Sequence, residues 1–473
     1  MLFSSTLFIY FFLPIVLLIY YGLLRKNRSL QNIFLTLASL IFYAWDRPKF
    51  VLVMIFSIFV NWFLGLQVAK HQNAQNIFMK KMVIFCTMVI NLLILFIFKY
   101  LTFSLSVLDQ IFQFNMPIPQ ITLPIGISFF TFQAMSYVLD ISCNKGTAQK
   151  NIMNVGLYIT LFPQLIAGPI VRYETVSKEI LHRKETFDDF FDGFSRFVVG
   201  LSKKVLLSNN LSIFVDNTFA SVGNISVASS WLGAICYTLQ IFFDFSGYSD
   251  MAIGLGRMFG FHFLENFDYP YISKSITEFW RRWHISLGTW FRDYVYIPLG
   301  GSRVKTPRLI LNLFVVWSLT GIWHGANWTF IVWGLMYFIL LTFEKISGFT
   351  KSKTSKSGDF FRWLYTLFFV ILGWVIFRAD SLSIAWIYIK TMIGMQNCVL
   401  FDNIFFENLR QSGIVLCFSI ILSFPITRWF KTKIDTNHAI LKISYSLLMV
   451  VLFILSISSI VSSTHNPFIY FNF

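Results

Sequence analysis

Charged side chains are scarce in this sequence, and their scarcity excludes a soluble domain for most of its length. Asp, Glu, Lys and Arg make up 13% of the 473 residues, whereas hydrophobic residues make up 56%. A typical soluble domain carries about a quarter of charged residues. Apolar runs fill the chain almost from end to end, so the sequence predicts an all-α, polytopic membrane protein.

Cysteine is also sparse, which excludes a disulfide framework and a structural zinc site. The five cysteines are widely spaced, without a C-x-x-C pair. We therefore expect no metal and no permanently bound cofactor. The segment GLGRMFG near Gly254 is not a G-x-G-x-x-G match and follows no strand, so a dinucleotide site is not supported.

The positive charge does not indicate nucleic acid. The formal net charge is +16, but it is spread through short segments between apolar runs, and no nucleic-acid-binding motif accompanies it. Basic clusters, including Lys203 with Lys204, are expected to mark loops. The charge therefore predicts membrane topology and contact with anionic lipids.

The apolar runs predict about 10–13 membrane-spanning or re-entrant helices in a single domain, 1–473. Runs near the spanning length of about 18 residues begin at Leu7, Val51, Met82, Leu123, Trp231, Leu309, Trp328, Phe361, Ile414 and Ile443. Further spans are expected within 31–45, 151–170 and 192–215. The polar break from Pro163 to Arg172 suits backbone buried inside protein.

The two ends of the chain are predicted to lie outside the cytoplasm. The first 22 residues lack a charged leader and an A-x-A site, so we expect a retained first helix. Arg25, Lys26 and Arg28 follow it and are cytoplasmic by the positive-inside rule. The basic cluster 428–433 is cytoplasmic by the same rule, and one apolar run, 440–461, separates it from the aromatic tail 465–473.

Two zones interrupt the apolar pattern. The charged segment 171–190 favours an amphipathic helix on the membrane surface. Segment 257–308 interleaves basic residues with Trp and Tyr, as at a membrane interface. On a continuous helix there, Trp280 and His284 share one face, and Glu278 pairs with Arg281 or Arg282.

His324 is the strongest candidate for chemistry, since polar residues inside spans are costly and are functional candidates by default. It lies 16 residues after Arg308, roughly 24 Å along a helix at about 1.5 Å per residue. A neutral imidazole at that depth suits a general base that accepts a hydroxyl proton. A structural histidine bonded to a neighbouring helix is the alternative.

Three other positions leave two interpretations open on the residues alone. Asp244, with Tyr248 in the segment FFDFSGYSDMAIG, either orients a histidine or serves as a hydrogen-bond partner within the bundle. His284 is either catalytic or an interfacial packing residue. Tyr470, the only phenol of the tail, either takes part in chemistry or is an aromatic anchor at the membrane interface.

Five long segments resemble the membrane-bound O-acyltransferases, and among them the alginate and peptidoglycan O-acetyltransferase branch. They are 123–140, 161–173, 242–261, 267–301 and 321–334. The resemblance covers most of the chain from Leu123 to Gly334 and implies a family core of approximately 120–400. It also implies a curved, pore-like bundle with a thin central partition.

The resemblance also implies roles for individual residues. His324 falls on the family's catalytic histidine and His284 on its second conserved histidine, while Phe468–Phe471 matches an F-x-Y-F motif whose tyrosine, here Tyr470, accepts an acyl group. Supporting positions are Asp244, Tyr248, Trp280, Trp323 and Asn327. The position of the basic belt on the cytoplasmic side makes Arg281, Arg282 and Arg303 donor-binding candidates that suit the donor's phosphates. A solvated face at the membrane interface is the alternative for each of them.

The sequence thus predicts an O-acetyltransferase of the bacterial inner membrane. It is expected to take acetyl groups from cytoplasmic acetyl-CoA and pass them, through Tyr470 and a periplasmic or extracellular SGNH-type transferase, to a polysaccharide. The alternatives are D-alanyl transfer from a carrier protein to teichoic acid, and a transporter or flippase without covalent chemistry. The tail argues against the first, since in similar systems the acceptor tyrosine tends to sit on a separate small protein.

Overall fold

The structure is a computed structural model, and it describes residues 1–350, 352, 354–395, 399–426, 439–462 and 469. Within these ranges the chain forms helices and no strands, which confirms the predicted all-α class. The described part divides into two compact units. Unit 1 contains Met1–Phe197 and Tyr248–Leu264, and unit 2 contains the described residues of Val198–Gly247 and Glu265–Phe473.

Unit 1 contains the N-terminal helices. Helix α3 packs against α4 and α5, and α2 packs against α6. The helices are α1 Phe8–Leu23, α2 Arg28–Ala44, α3 Val51–Asn73, α4 Ile77–Phe112, α5 Ile127–Ser142, α6 Ile152–Thr160, α7 Phe162–Leu165, α8 Tyr173–Val176 and α9 Glu179–His182. Helices α10 Phe187–Ala220 and α11 Val227–Met258 contribute to both units.

Unit 2 holds the other helices. In it α14 packs along α15, α15 packs against α16, and α16 packs against α17. The helices are α12 Ile276–Arg282, α13 Ile285–Phe291, α14 Thr306–His324, α15 Trp328–Ile346, α16 Lys356–Arg378, α17 Leu382–Met392, α18 Asn403–Leu422 and α19 Ala439–Ser462. Short 3₁₀ turns lie at Pro48–Phe50 and Pro270–Ile272.

Many helix starts are set by a polar side chain that accepts a hydrogen bond from the first turn. Asn27 begins α2, Ser275 begins α12 and Asp402 begins α18 in this way. Ser, Asn and Asp are the preferred residues at this position because their oxygen satisfies a backbone N–H that has no partner within the helix. These caps make the boundaries of the helices local properties of the sequence.

Seven helices among the described residues are long and apolar enough to cross a membrane, and α1 and α17 are shorter apolar helices. The expected 10–13 pieces also include re-entrant segments, which this criterion does not count. Only 6% of the apolar window of α18 is buried inside the protein, and 11% of that of α19. Helices with so much exposed apolar surface need lipid around them.

Two expectations about polar segments are wrong. Segment 171–190 does not form one amphipathic helix but the short helices α8 and α9 and the start of α10, because Arg183 turns inward to bond Tyr20 and Asn32. Lys203 and Lys204 lie within α10 rather than in a loop. By contrast, the break after Pro163 is buried as predicted, with Ala167 and Ile170 inaccessible in unit 1.

Two glycines set the distance between α14 and α15. A Cβ on Gly321 would lie 2.6 Å from the carbonyl oxygen of Phe330, and one on Gly334 would lie 2.6 Å from that of Trp317. Both obstacles are backbone atoms, which cannot move aside as a flexible side chain does. Small residues at a helix crossing allow the two backbones to approach closely in a membrane.

We predict that Gly321→Ala and Gly334→Ala each destabilise the protein by about 1–3 kcal/mol, the usual cost of overpacking. Thermal unfolding in detergent measures the effect. Gly413→Ala in α18 is the matched control, because its Cβ would meet only Leu409 Cδ1 at 3.9 Å. An unfolding temperature for Gly321→Ala equal to that of the control would contradict this account.

Candidate active site

His324 is the C-terminal residue of α14 and is buried, with 5% of its surface exposed. Helix α14 is continuous from Thr306, so the estimated separation from Arg308 rests on an unbroken helix. The imidazole packs nearly perpendicular to Trp333, with ring centroids 5.0 Å apart, and to Phe377, at 5.2 Å. The ring is therefore enclosed by aromatic side chains.

The corner that follows His324 is fixed by Asn327. The side-chain oxygen of Asn327 accepts a hydrogen bond from the N–H of Thr329 and so caps α15, while its amide donates to the carbonyl of Asp380 at 3.0 Å. Asn327 therefore ties the start of α15 to the residues after α16. Its role in the structure is to hold the corner on which His324 lies.

His284 lies between two helices, not on one. Helix α12 ends at Arg282, and His284 has φ 47° and ψ 53° before α13 begins. The expected continuous helix, with Trp280 and His284 on one face, is therefore wrong. The left-handed conformation costs energy for a residue with a Cβ, and such strain concentrates at functional sites. The predicted pair of Glu278 and Arg282 is confirmed at 2.9 Å.

Asn266 fixes the tautomer of the neutral His284 ring. Its Oδ1 accepts hydrogen bonds from the N–H and the hydroxyl of Ser286, at 3.2 and 2.8 Å, and lies 3.2 Å from His284 Nδ1. The backbone N–H of Ser286 can only donate, so the shared atom is the amide oxygen. Nδ1 of a neutral His284 therefore carries the proton, and Nε2 keeps the lone pair that can accept one.

Trp323 brings the two histidines into one cluster. Its ring centroid lies 5.0 Å from that of His324 and 6.0 Å from that of His284. Trp280 joins the same cluster through Trp333, at 5.4 Å, and Tyr337, at 4.9 Å. The predicted residues His284, His324, Trp280 and Trp323 thus lie together in unit 2.

Glu344 links the helix that leads to His284 with the helix that follows His324. It lies on α15 and is fully buried. Its carboxylate accepts hydrogen bonds from the N–H groups of Ile276 and Thr277 at the start of α12, at 2.6 and 2.9 Å. A carboxylate is stabilised at a helix N-terminus by the helix dipole and the unpaired N–H groups.

Asp244 takes part in an ion pair and does not contact either histidine through a described hydrogen bond. Its Oδ1 lies 2.5 Å from Nζ of Lys204, and its Oδ2 accepts a hydrogen bond from the N–H of Ile469 at 2.9 Å. This supports the bundle-partner interpretation. Tyr470, the next residue, lies outside the described residues.

The remaining predicted residues have different surroundings. Tyr248 belongs to unit 1, where its ring stacks on Phe3 with centroids 4.6 Å apart. Arg282 is paired with Glu278 and Asp268. Arg281 and Arg303 are exposed, whereas Arg282 is half-buried. No cluster of metal-binding side chains occurs in the described ranges.

The family model of the membrane-bound O-acyltransferases matches residues 144–388. The chain belongs to this family. His284 and His324 both lie inside the matched range, and the family makes the chain a multi-pass membrane acyltransferase.

Similar proteins include O-acetyltransferases of the family. The chain is 38% identical to the probable alginate O-acetylase AlgI of Pseudomonas aeruginosa, over 92% of this chain and 84% of the relative. It is 35% identical to the peptidoglycan O-acetyltransferase of Helicobacter pylori, over 85% and 81%. It is 28% identical to the teichoic acid D-alanyltransferase of Bacillus subtilis, over 79% and 97%. These relatives support a membrane O-acetyltransferase.

Three residues of the site were not predicted from sequence. Asn266 lies next to Glu265 in a segment with several polar residues, Glu344 precedes Lys345 at the end of an apolar run, and Lys204 stands in a basic pair. A charged or polar side chain inside a membrane span is energetically costly, so such a residue is a candidate for function. Glu344 fits that rule, since it lies in the long apolar run after Trp328. Nothing local in the sequence identifies the partner of each.

We predict that Asn266→Leu, which has a similar volume, lowers acyl transfer at least about tenfold, since tenfold corresponds to about 1.4 kcal/mol and a lost buried acceptor costs about 1–3 kcal/mol. Both donors of Ser286 lose their acceptor, and the His284 tautomer is no longer fixed. Initial rates in proteoliposomes measure the change. Ser286→Ala, which keeps the His284 contact, should lose less, and equal losses in both variants would refute the assignment.

Proposed function

We propose that this chain transfers acetyl groups from cytoplasmic acetyl-CoA across the bacterial inner membrane for O-acetylation of a polysaccharide. The observation that carries the proposal is the buried, aromatically enclosed His324 at the end of α14, within the range that matches the family. Alginate and peptidoglycan O-acetylases among the relatives support acetyl as the group transferred.

His324 is proposed as the general base. The imidazole takes the proton of a hydroxyl group, proposed to be that of Tyr470, and the oxygen attacks the thioester carbonyl. The C–S bond breaks, an O-acetyl ester forms, and the thiolate of coenzyme A recovers the proton from the imidazolium. His284 Nε2 lies in the same cluster and is proposed to act on the bound donor or the reacting oxygen.

The donor and the final acceptor complete the proposal. Arg281 and Arg303 are exposed basic residues suited to the phosphates of acetyl-CoA. An SGNH-type transferase outside the cytoplasm then moves the acetyl group from Tyr470 to the glycan. Membrane lipids surround the exposed apolar faces of the helices.

D-alanyl transfer is the second candidate, supported by the 28% identity to a teichoic acid D-alanyltransferase. The alternative of a transporter without covalent chemistry is set aside, because the chain belongs to a family of acyltransferases. The two acyl donors are separable by experiment.

We predict that purified protein incubated with isotopically labelled acetyl-CoA gains a labelled acetyl group on the tail peptide containing Tyr470, as seen by peptide mass spectrometry. His324→Ala and Tyr470→Phe should both abolish the label. Tyr445→Phe, the same change on α19, is the control and should retain it.

Other outcomes separate the alternatives. Acetyl-CoA turnover without a labelled tail would show that transfer to the partner is direct. Labelling from a D-alanyl carrier protein, with none from acetyl-CoA, would overturn the proposed donor in favour of D-alanyl transfer.

A further inference from the structure

Lys204 and Asp244 form a buried ion pair in unit 2 that no part of the proposed chemistry uses. Nζ of Lys204 lies 2.5 Å from Oδ1 of Asp244, and each side chain is 1% exposed. Lys204 belongs to a π-helical segment of α10, Lys203–Ser208. Removing two charges from water costs several kcal/mol per ion, so a pair like this is weak as a source of stability. Another role is needed to explain it.

The second carboxylate oxygen of Asp244 holds the backbone near the end of the chain. Oδ2 accepts a hydrogen bond from the N–H of Ile469 at 2.9 Å, and the contact is buried. Ile469 itself is 7% exposed. Lys204 and Ile469 therefore use different oxygens of one carboxylate, and Lys204 holds that carboxylate in its orientation.

The C-terminal helix reaches the same part of α10 by a separate contact. Helix α19 packs against the segment Lys203–Ser208. The hydroxyls of Ser202 and Ser456 lie 3.0 Å apart and are both buried. The chain end is thus brought to the neighbourhood of Lys204 twice, first through α19 and again at Ile469.

We propose that Lys204 and Asp244 are a positioning pair that docks the C-terminal segment through the main chain of Ile469. The contact recognises a backbone N–H, so it fixes the path of the chain whatever side chain residue 469 carries. Its consequence for Tyr470, the next residue, rests on the proposed function. Neither Lys204 nor Asp244 touches the reacting atoms in this role.

Proline at position 469 tests the contact without altering the ion pair. Ile469→Pro lacks the N–H that bonds Asp244, whereas Ile469→Ala keeps it and removes most of the side chain. In detergent, carboxypeptidase Y should release Phe473 and Asn472 at least about tenfold faster from Ile469→Pro, as expected for a lost hydrogen bond to a charged group. Intact mass spectrometry follows the release. Equal rates for Ile469→Pro and Ile469→Ala would overturn the proposal.

Substitutions of Lys204 and Asp244 test whether the ion pair is needed for docking. Asp244→Leu combined with Lys204→Met removes both charges together, which spares the fold the cost of a single buried charge. This double variant should lose tail protection to the same extent as Ile469→Pro. The control is Arg196→Gln with Asp250→Asn, an ion pair at 2.9 Å in unit 1 between the same two helices. Its tail should be released at the wild-type rate, and wild-type protection in the Lys204 and Asp244 variant would refute docking by this pair.

Digestion of the tail needs no donor, so failure of docking and failure of the proposed function are distinguishable. A protected tail that gains no acetyl group leaves the dock in place and removes the proposed acceptor. If Tyr470 is acetylated at the same rate in the wild type and in Ile469→Pro, the proposed acceptor is kept and the docking proposal is removed. If both proposals hold, Ile469→Pro lowers the rate of tail acetylation while the KM for acetyl-CoA stays the same.

Discussion

The carboxylate of Glu344 is the contact on which the placement of both histidines depends. It is carried by α15, whose other end begins just after His324, and it binds the first N–H groups of α12, which ends two residues before His284. A buried carboxylate is costly unless it is fully hydrogen-bonded, and a helix N-terminus supplies unpaired donors and a favourable dipole. One side chain thereby connects the segment that leads to His284 with the segment that follows His324, although the two are far apart in sequence.

The same rule governs the other polar groups at depth. In unit 1, Asn61 and Asn91 exchange amide hydrogen bonds at 3.1 and 2.9 Å across α3 and α4. In unit 2, the side-chain oxygen of Asn266 bonds the backbone N–H of Ser286 and lies 3.2 Å from Nδ1 of the His284 ring. Since hydrocarbon offers no partner, each polar group must find one inside the protein. Pairing of this kind gives membrane helices a fixed register that apolar packing alone does not provide.

The sequence predicted the class of the fold and most helix positions, because hydropathy is a local signal. It predicted the start of α15 at Trp328 and a helix through His324. It did not predict the break at His284, since no glycine or proline marks that turn and its contact with Asn266 comes from a residue 18 positions earlier in the chain. It placed Lys204 in a loop because the partner that makes its burial tolerable, Asp244, lies 40 residues away. The single-domain expectation and the roles of the site residues stay predictions.

The π-helical segment Lys203–Ser208 has a consequence for how this part of the chain tolerates change. A π-turn fits one extra residue into an α-helix, and the residues beyond it keep the facing they would have without the insertion. Loss of one residue there would restore α-helical winding and leave both flanks facing as they do now, whereas a further inserted residue would turn one side by about 100° relative to the other. Substitutions on the lipid side of α10 leave that register alone. Among homologous chains, this stretch should therefore accept exchanges of side chain and the loss of one residue, but hardly any insertion.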